Sequence, residues 1–364
     1  MLYESAPYHN HPKVKEMPLT SPNIRFKKCL LLFDAGQKGS LKQAQGLATL
    51  MGVFGNAVAI KRHILAKLFP FRKARMWGLR TNKGQLVRAL SENTGGLVIC
   101  SGKNASAAGA LLKKQNPGLV VVSLMNPKMP LHHFDAVIAP AHDGLKGPNV
   151  INTRLSLHPL TDGLLKAEQK QCSGHLEPLS APHIGVLIGG PAGGLLRKTW
   201  SRLYWRWLAR KMGKDLQKLQ AENGGTILLA PSRRTPAAFV KKLKRALKST
   251  PYFLWEGKEG NPYGAILASA DALIVTADSV QMLSEAAFSA APLFSYPISG
   301  LSKRIRAFNQ QLFKDNLAKP FHGRLQHWFR SRANEADTLR PRLAFLSTAR
   351  PYPSSHEAKK TPPA

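Results

Sequence analysis

Negative charge is what this chain has least of: 20 Asp+Glu stand against 53 Lys+Arg, leaving a formal net charge of +33 in 364 residues. Such an imbalance calls for a polyanionic neighbour, either nucleic acid or an anionic membrane surface. Helix-turn-helix, RNA-recognition and zinc-finger signatures are all missing, which leaves no module for specific nucleic-acid binding. No stretch approaches the roughly 18 apolar residues of a membrane-spanning helix. Pro7, His9, His11, Pro12 and Lys13 interrupt the first twenty residues, so no secretory signal is read there. The expected location is cytoplasmic, with peripheral association at the inner face of the membrane left open. The three cysteines, Cys29, Cys100 and Cys172, form no C-x-x-C pair and read as reduced thiols. No zinc-type ligand cluster appears, and neither cofactor nor metal is expected.

What the chain does have is alternation. Short apolar runs at Cys29–Asp34, Ala57–Ile60, Leu97–Cys100, Leu119–Leu124 and Ala136–Ala139 are separated by helical patterns such as Leu41–Met51 and Ala105–Lys114. After a polar passage near residues 168–182 a second series follows, with strands expected at Ile184–Ile188, Thr226–Ala230, Phe253–Trp255, Ala272–Thr276 and Pro292–Ser295. Its helices are expected at Leu195–Gln220, Pro236–Leu247 and Val280–Ser289. Strands and helices alternating in this way predict parallel sheets covered on both faces. The expected fold is therefore α/β, with two Rossmann-like domains facing a cleft. Residues 25–180 form the first domain and 181–345 the second, between loose tails at 1–24 and 346–364.

In open parallel sheets the binding crevice lies beyond the carboxyl ends of the strands, and the polar clusters of this chain fall there. Gly189-Gly190-Pro191-Ala192-Gly193-Gly194 joins a strand to a helix, so its amides can face an anion, or its glycines only turn the chain. The lysine of a Walker A loop is absent. Ser232-Arg233-Arg234-Thr235-Pro236 sets two guanidiniums at a helix N-terminus that is already positive. That placement suits a diphosphate; an exposed basic turn is the plain alternative. Thr235 is expected to cap the following helix and Pro236 to open it. Asn261-Pro262-Tyr263 and Thr276-Ala277-Asp278-Ser279 place further polar groups at strand ends, with Glu285 near the second turn of the next helix. Ser279 can equally be a cap and Glu285 a surface residue. His142-Asp143 forms a His-Asp pair that can make a general base or be structural.

Along Leu195–Gln220, Lys198, Arg202, Arg206, Arg210, Lys214 and Lys218 recur every fourth residue beside an apolar face of Leu196, Trp200, Leu203, Tyr204, Trp207, Leu208 and Met212. Either that face meets a membrane or it packs on the sheet. Lys61–Lys73 is a second basic, apolar segment of this kind.

Pro140 with His142-Asp143, Ser232–Pro236, Asn261-Pro262-Tyr263 and Thr276–Ser279, together with Asp34-Ala35-Gly36, Gln43-Ala44-Gln45-Gly46-Leu47-Ala48, Ser101-Gly102, Phe134-Asp135 and Gly147-Pro148-Asn149-Val150, resemble the mitochondrial-fission Elm-type family from about Phe26 to Phe345. The resemblance implies the GT-B architecture and a glycosyltransferase activity, and the second half is similar to the peptidoglycan N-acetylglucosaminyltransferase group. By that resemblance Gly189, Gly190, Ser232, Arg233 and Arg234 hold the diphosphate of a nucleotide sugar. Asn261, Thr276, Asp278 and Ser279 complete the donor site, and Glu285 receives a ribose diol. His142 or Asp143 becomes the base for an acceptor hydroxyl. The implied reaction is metal-independent transfer onto a cell-envelope glycolipid such as a lipopolysaccharide core. A membrane-surface scaffold without catalysis is the alternative. Gln281 stands where family members often carry Ser.

Overall fold

The computed structural model describes residues 26–35, 38–62, 79–80, 96–191, 197–255, 261–326 and 328–347. The tails expected at 1–24 and beyond 347, the basic segment 63–73 and residues 192–196 of the glycine loop lie outside them, as do the side chains of residues 197–202.

Seven strands form the first sheet: β1 (Lys28–Asp34), β2 (Phe54–Arg62), β3 (Leu79–Arg80), β4 (Leu97–Ser101), β5 (Val120–Leu124), β6 (Ala136–Pro140) and β7 (Val150–Thr153). Their order is β3-β2-β1-β4-β5-β6-β7, all parallel except for the β2–β3 pair. The second sheet holds β8 (His183–Ile188), β9 (Thr226–Pro231), β10 (Tyr252–Leu254), β11 (Ala272–Thr276), β12 (Leu293–Tyr296) and β13 (Lys319–Pro320), ordered β10-β9-β8-β11-β12-β13. Each order reverses beside its first strand, as in a Rossmann fold, and so opens a crevice at the ends of β1 and β4 and of β8 and β11.

Strand periodicity explains the two-faced cores. Successive side chains point to opposite faces, so Cys29 and Leu31 pack with Leu47 and Met51 of α1 (Lys38–Met51). Leu30 and Leu32 pack on the other face against Ala105, Ala108 and Leu112 of α2 (Lys103–Gln115). In the second sheet Ile184, Val186 and Ile188 face α5 (Arg197–Asn223) and α6 (Ala237–Ala246). Leu187, Leu273 and Val275 face α7 (Tyr263–Ser269) and α8 (Val280–Ala287).

The chain passes between the sheets more than once. The helices α3 (Asp162–Gln171) and α4 (Ser173–Leu176), which precede residue 181, bury Leu165, Cys172 and Leu176 in the core of the second sheet. After α9 (Lys303–Lys314), the helix α10 (Glu335–Leu343) returns, and Leu339, Leu343 and Leu346 enter the core of the first. Apolar pattern shows that a helix has a buried side, not which sheet will cover it.

Helix α5 settles which of its faces is inside. Trp205, Leu208, Ala209, Met212, Leu216 and Leu219 are buried at helical spacing. The apolar face expected from the sequence is thereby split: Leu208 and Met212 are inside, whereas Leu203 and Trp207 are 65% and 54% exposed. Trp205, which that face omitted, is the anchor and meets Phe239 edge-on at 5.4 Å.

Candidate functional site

In the first domain the crevice is already filled. The Asp34 carboxylate, at the end of β1, accepts the backbone N–H groups of Asn104 (2.9 Å) and Ala105 (2.8 Å) at the start of α2. Gly102 permits the approach: its φ is +107°, and a Cβ there would lie 2.4 Å from Asp34 Cγ. The positive end of α2, where a Rossmann fold commonly receives a phosphate, is thus satisfied by the chain's own carboxylate. Burial pushes the Asp34 carboxyl up, and the N–H donors oppose that shift.

The corresponding crevice of the second domain gathers residues from three strand ends. Gly189 N–H donates to the Thr276 hydroxyl at 2.7 Å, and Gly190 N–H donates to Asp278 Oδ2 at 2.9 Å. The Arg234 guanidinium donates to the Gly190 carbonyl at 2.9 Å and lies 3.5 Å from the same carboxylate oxygen. Asp278 Oδ1 is buried without a hydrogen-bond partner, and burial pushes this carboxyl up from its ordinary value. Ser232 Oγ sits 3.1 Å from Thr235 Oγ1.

Thr235 does not cap α6 as expected. Its hydroxyl reaches the carbonyls of Ile188 (2.8 Å) and Gly189 (2.6 Å), and Pro236 takes the N-cap position. The Ile188 carbonyl also accepts the Ser232 N–H at 2.8 Å, so the hydroxyl adds a second contact there and gives the Gly189 carbonyl, just past the end of β8, a partner. Ser279 occupies the N-cap of α8 but makes no capping bond with its side chain. Arg233 is exposed and has no hydrogen-bond or ion-pair partner among the described residues. The two arginines of the motif therefore differ, one pinned to the loop and one open to a ligand.

Glu285 is a buried member of α8, 2% exposed, and not a surface residue. Lys42 of α1 donates to its Oε1 at 2.9 Å, Gln281 donates to the same oxygen at 3.2 Å, and the Tyr263 hydroxyl donates to Oε2. Burial and the adjacent carboxylate push the Tyr263 phenol well above its ordinary value. Asn261 is exposed, and its Oδ1 accepts the Tyr263 N–H at 3.1 Å. His158 lies close enough to feel the charges of Glu285 and Lys42, and its Nδ1 is buried without a partner.

His142 and Asp143 stand together at the end of β6, though not as a hydrogen-bonded pair: His142 Nε2 is 3.8 Å from Asp143 Oδ1. Asp143 instead binds Arg304 of α9 at 2.6 Å. The His142 ring packs edge-on against Phe308 at 5.2 Å, with Nε2 buried and unpartnered. Three groupings result: the Gly189–Asp278 cluster, the Glu285 cluster, and the His142 pair bridged to α9. Lys42, His158 and Arg304 were not legible as site residues, since each acquires its role from a partner on a distant element.

Burial holds the imidazoles of His142 and His158 below the ordinary histidine range. Unfolded, both take up a proton near pH 6.5, whereas folded they resist it. The unfolded state then binds more protons, so stability falls as pH drops through that value, by at most about 1.4 kcal/mol per histidine per pH unit. The raised carboxyls of Asp278 and Glu335 work the other way at lower pH, where the folded state holds the extra protons. Thermal unfolding from pH 7.5 to 5.5 should show this decline, and His142→Gln with His158→Gln should flatten it. A midpoint in wild type that does not move over that range contradicts the assignment.

Fold and site define an α/β protein of two Rossmann-like sheets, with a polar crevice at the strand ends of the second. The family model described as Mitochondrial fission ELM1 matches residues 38–343, and the chain belongs to that family. It is 26% identical to the mitochondrial fission protein ELM1 of Arabidopsis thaliana over 264 residues, 65% of this chain and 60% of that protein. An uncharacterized protein of Rickettsia prowazekii is 25% identical over 318 residues, 78% of this chain and 88% of the relative. The chain thus matches about 60% of the length of the plant relative. Similar solved structures include Acinetobacter baumannii MurG, at 12% identity and TM-score 0.43, covering 91% of this chain and 98% of that one. A UDP-GlcNAc 2-epimerase of Methanocaldococcus jannaschii, in complex with UDP-GlcNAc and UDP, has 11% identity and TM-score 0.46 over 88% and 99% of the two chains.

Proposed function

We propose that this protein binds a nucleotide-activated sugar in the crevice of its second domain and transfers the sugar to a lipid-linked or glycolipid acceptor of the cell envelope, such as a lipopolysaccharide core, at an anionic membrane surface. The observation that carries the reading is the exposed Arg233, without a partner among the described residues and next in sequence to an Arg234 tied to Gly190, at a crevice where the amides of Gly189 and Gly190 are held by Thr276 and Asp278. A leaving diphosphate accumulates negative charge, which a guanidinium and helix N-termini stabilise. Arg233 supplies that charge in this reading, and a bound cation is not required.

Glu285 would receive the ribose. Its carboxylate offers about four lone-pair sites, of which Lys42, Gln281 and Tyr263 take three. A diol brings two donors, so it enters by displacing Lys42. The base for the acceptor hydroxyl would be His142, which burial keeps neutral and whose Nε2 is unpartnered. Asp143, engaged by Arg304, would instead orient the domains.

One observation favours a scaffold without catalysis. Two carboxylates between the halves are each tied across the domains, Glu285 to Lys42 and Asp143 to Arg304, and these pairs join the halves without a ligand. A thermal-shift screen with UDP, GDP, ADP, CMP and their sugars separates the readings. A ligand held only by the native state at 100 times its Kd adds about 2.7 kcal/mol, so one base class should raise the midpoint by several degrees. Glu285→Gln should abolish the response. Silence across the whole panel would favour the scaffold.

A further inference from the structure

We propose that the outer face of α5 and α6 is a docking surface for a bilayer of anionic phospholipid. Leu203 and Trp207 would enter the headgroup layer, and cations of both helices would meet the phosphates. The inference rests on the acceptor being lipid-linked and locates where that lipid surface is met.

The core stripe of α5 buries Trp205 to 4% exposure, while Leu203 and Trp207, two residues to either side, stay 65% and 54% exposed. The helix therefore exposes a second apolar pair, Leu203 and Trp207, away from its core stripe. Tyr204 braces it: its ring lies 5.9 Å from that of Trp207, and its hydroxyl accepts the Ser299 N–H at 2.7 Å. An exposed, braced Trp beside a Leu suits the boundary between headgroups and acyl chains.

Around these residues the charge is one-sided. Arg206 and Arg210 of α5 and Arg245 of α6 all lie close enough to Lys242 to repel its ammonium. Helix α6 contains no acid, and the acids of α5, Asp215 and Glu222, sit in its later turns paired to Lys211 and Lys218. Crowding four cations that have no counter-charge among the described residues costs stability until a polyanion arrives. Along α6 a groove of about 520 Å³ is lined by Ala237 and Val240 together with Lys241, Lys244 and Arg245. A groove lined by aliphatic and cationic side chains suits a phospholipid, which brings acyl carbons and a phosphate together. A nucleic acid would use the cations and could stack on Trp207, but it has no use for Leu203 or the aliphatic side chains of the groove.

Flotation of the full chain with phosphatidylcholine vesicles, with and without phosphatidylglycerol, tests this. Wild type should float only with the anionic vesicles, and the Trp fluorescence should shift to the blue. Leu203→Ser with Trp207→Ser should weaken binding at least about ten-fold and remove the shift. Arg206→Gln, Arg210→Gln, Lys242→Gln and Arg245→Gln together should weaken it as much. Lys170→Gln with Lys314→Gln, on other faces, should change nothing. Wild-type binding that survives both sets of substitutions overturns the proposal, as does a chain that ignores vesicles and binds single-stranded RNA. Nucleotide-induced thermal shifts, measured on the same variants, report the fold and the donor site separately. Vesicle binding with the predicted pattern but no nucleotide response would uphold this surface and reject the transferase reading.

Discussion

Gly190→Ala should abolish the nucleotide response while leaving a folded protein. A Cβ at Gly190 would fall 2.2 Å from the carbonyl oxygen of Arg234 and 2.3 Å from its carbonyl carbon, so the clash is with backbone that cannot rotate away. Relief requires the ends of β8 and β9 to separate. That separation loosens the Gly190–Asp278 bond and the Arg234–Gly190 bond together. A local rearrangement of this kind costs about 2–4 kcal/mol of stability, and at least about 100-fold in ligand affinity if the loop holds a diphosphate. Arg233→Ala supplies the contrast. Its side chain is exposed and has no partner among the described residues, so stability should change by no more than about 0.5 kcal/mol. The affinity for a nucleoside diphosphate should still fall about 10- to 100-fold. Isothermal titration of both variants with the nucleotide chosen by thermal shift gives the answer; unaltered affinity in Arg233→Ala would remove the observation on which the transferase reading stands.

Arg330→Ala should be among the most destabilising single changes in the second domain. The guanidinium donates to the carbonyls of Ala286 and Ala287, each at 2.9 Å, and to those of Ser289 at 2.6 Å and Ala291 at 2.8 Å. These include the last carbonyls of α8, which have no partner within the helix, and a cation there also complements the helix dipole. Burial pulls the guanidinium down to about 10, so the group is held in place against a desolvation cost. Truncation removes a buried guanidinium from four carbonyls; those of Ala286 and Ala287 keep the N–H groups of Ser289 and Ala333, while those of Ser289 and Ala291 lose their donor, and the expected loss is about 3 kcal/mol in urea unfolding at unchanged m-value. Arg330→Lys should recover only part of it, because one ammonium cannot span four carbonyls as a planar fork does. A loss below about 1 kcal/mol would mean that water replaces the guanidinium freely.

Both predictions depend on contacts of unequal legibility. The Gly189-Gly190 loop and the Ser232–Pro236 turn are strand ends in the sequence, and the crevice rule places them together because the order of the strands reverses there. Arg330 carries no such mark: its partners lie 39 to 44 residues earlier, on a helix it meets only after β13 and the turn beyond it. Asp34 is similar. Its position after β1 suggests a ligand-facing carboxylate, yet it serves α2, seventy residues on, as the anion its N-terminus requires. Thr235 shows how a local rule is overridden, since a hydroxyl that suits a helix cap is drawn to the carbonyls at the end of a neighbouring strand.

Local order was determined by the sequence alone. Apolar runs of strand length alternating with amphipathic helices specify parallel sheets covered on both faces, and the motifs at their ends mark the family and the crevice, because hydrophobic periodicity acts within a few residues. Tertiary structure alone decided which side chains meet. Glu285 is a buried carboxylate held by Lys42, 243 residues away in sequence, and not a surface group. Trp205 enters the core while Trp207 faces outward, although both belong to one basic helix. The reason is physical: a helix of period 3.6 offers several apolar stripes, and only the sheet it packs on determines which of them is removed from water.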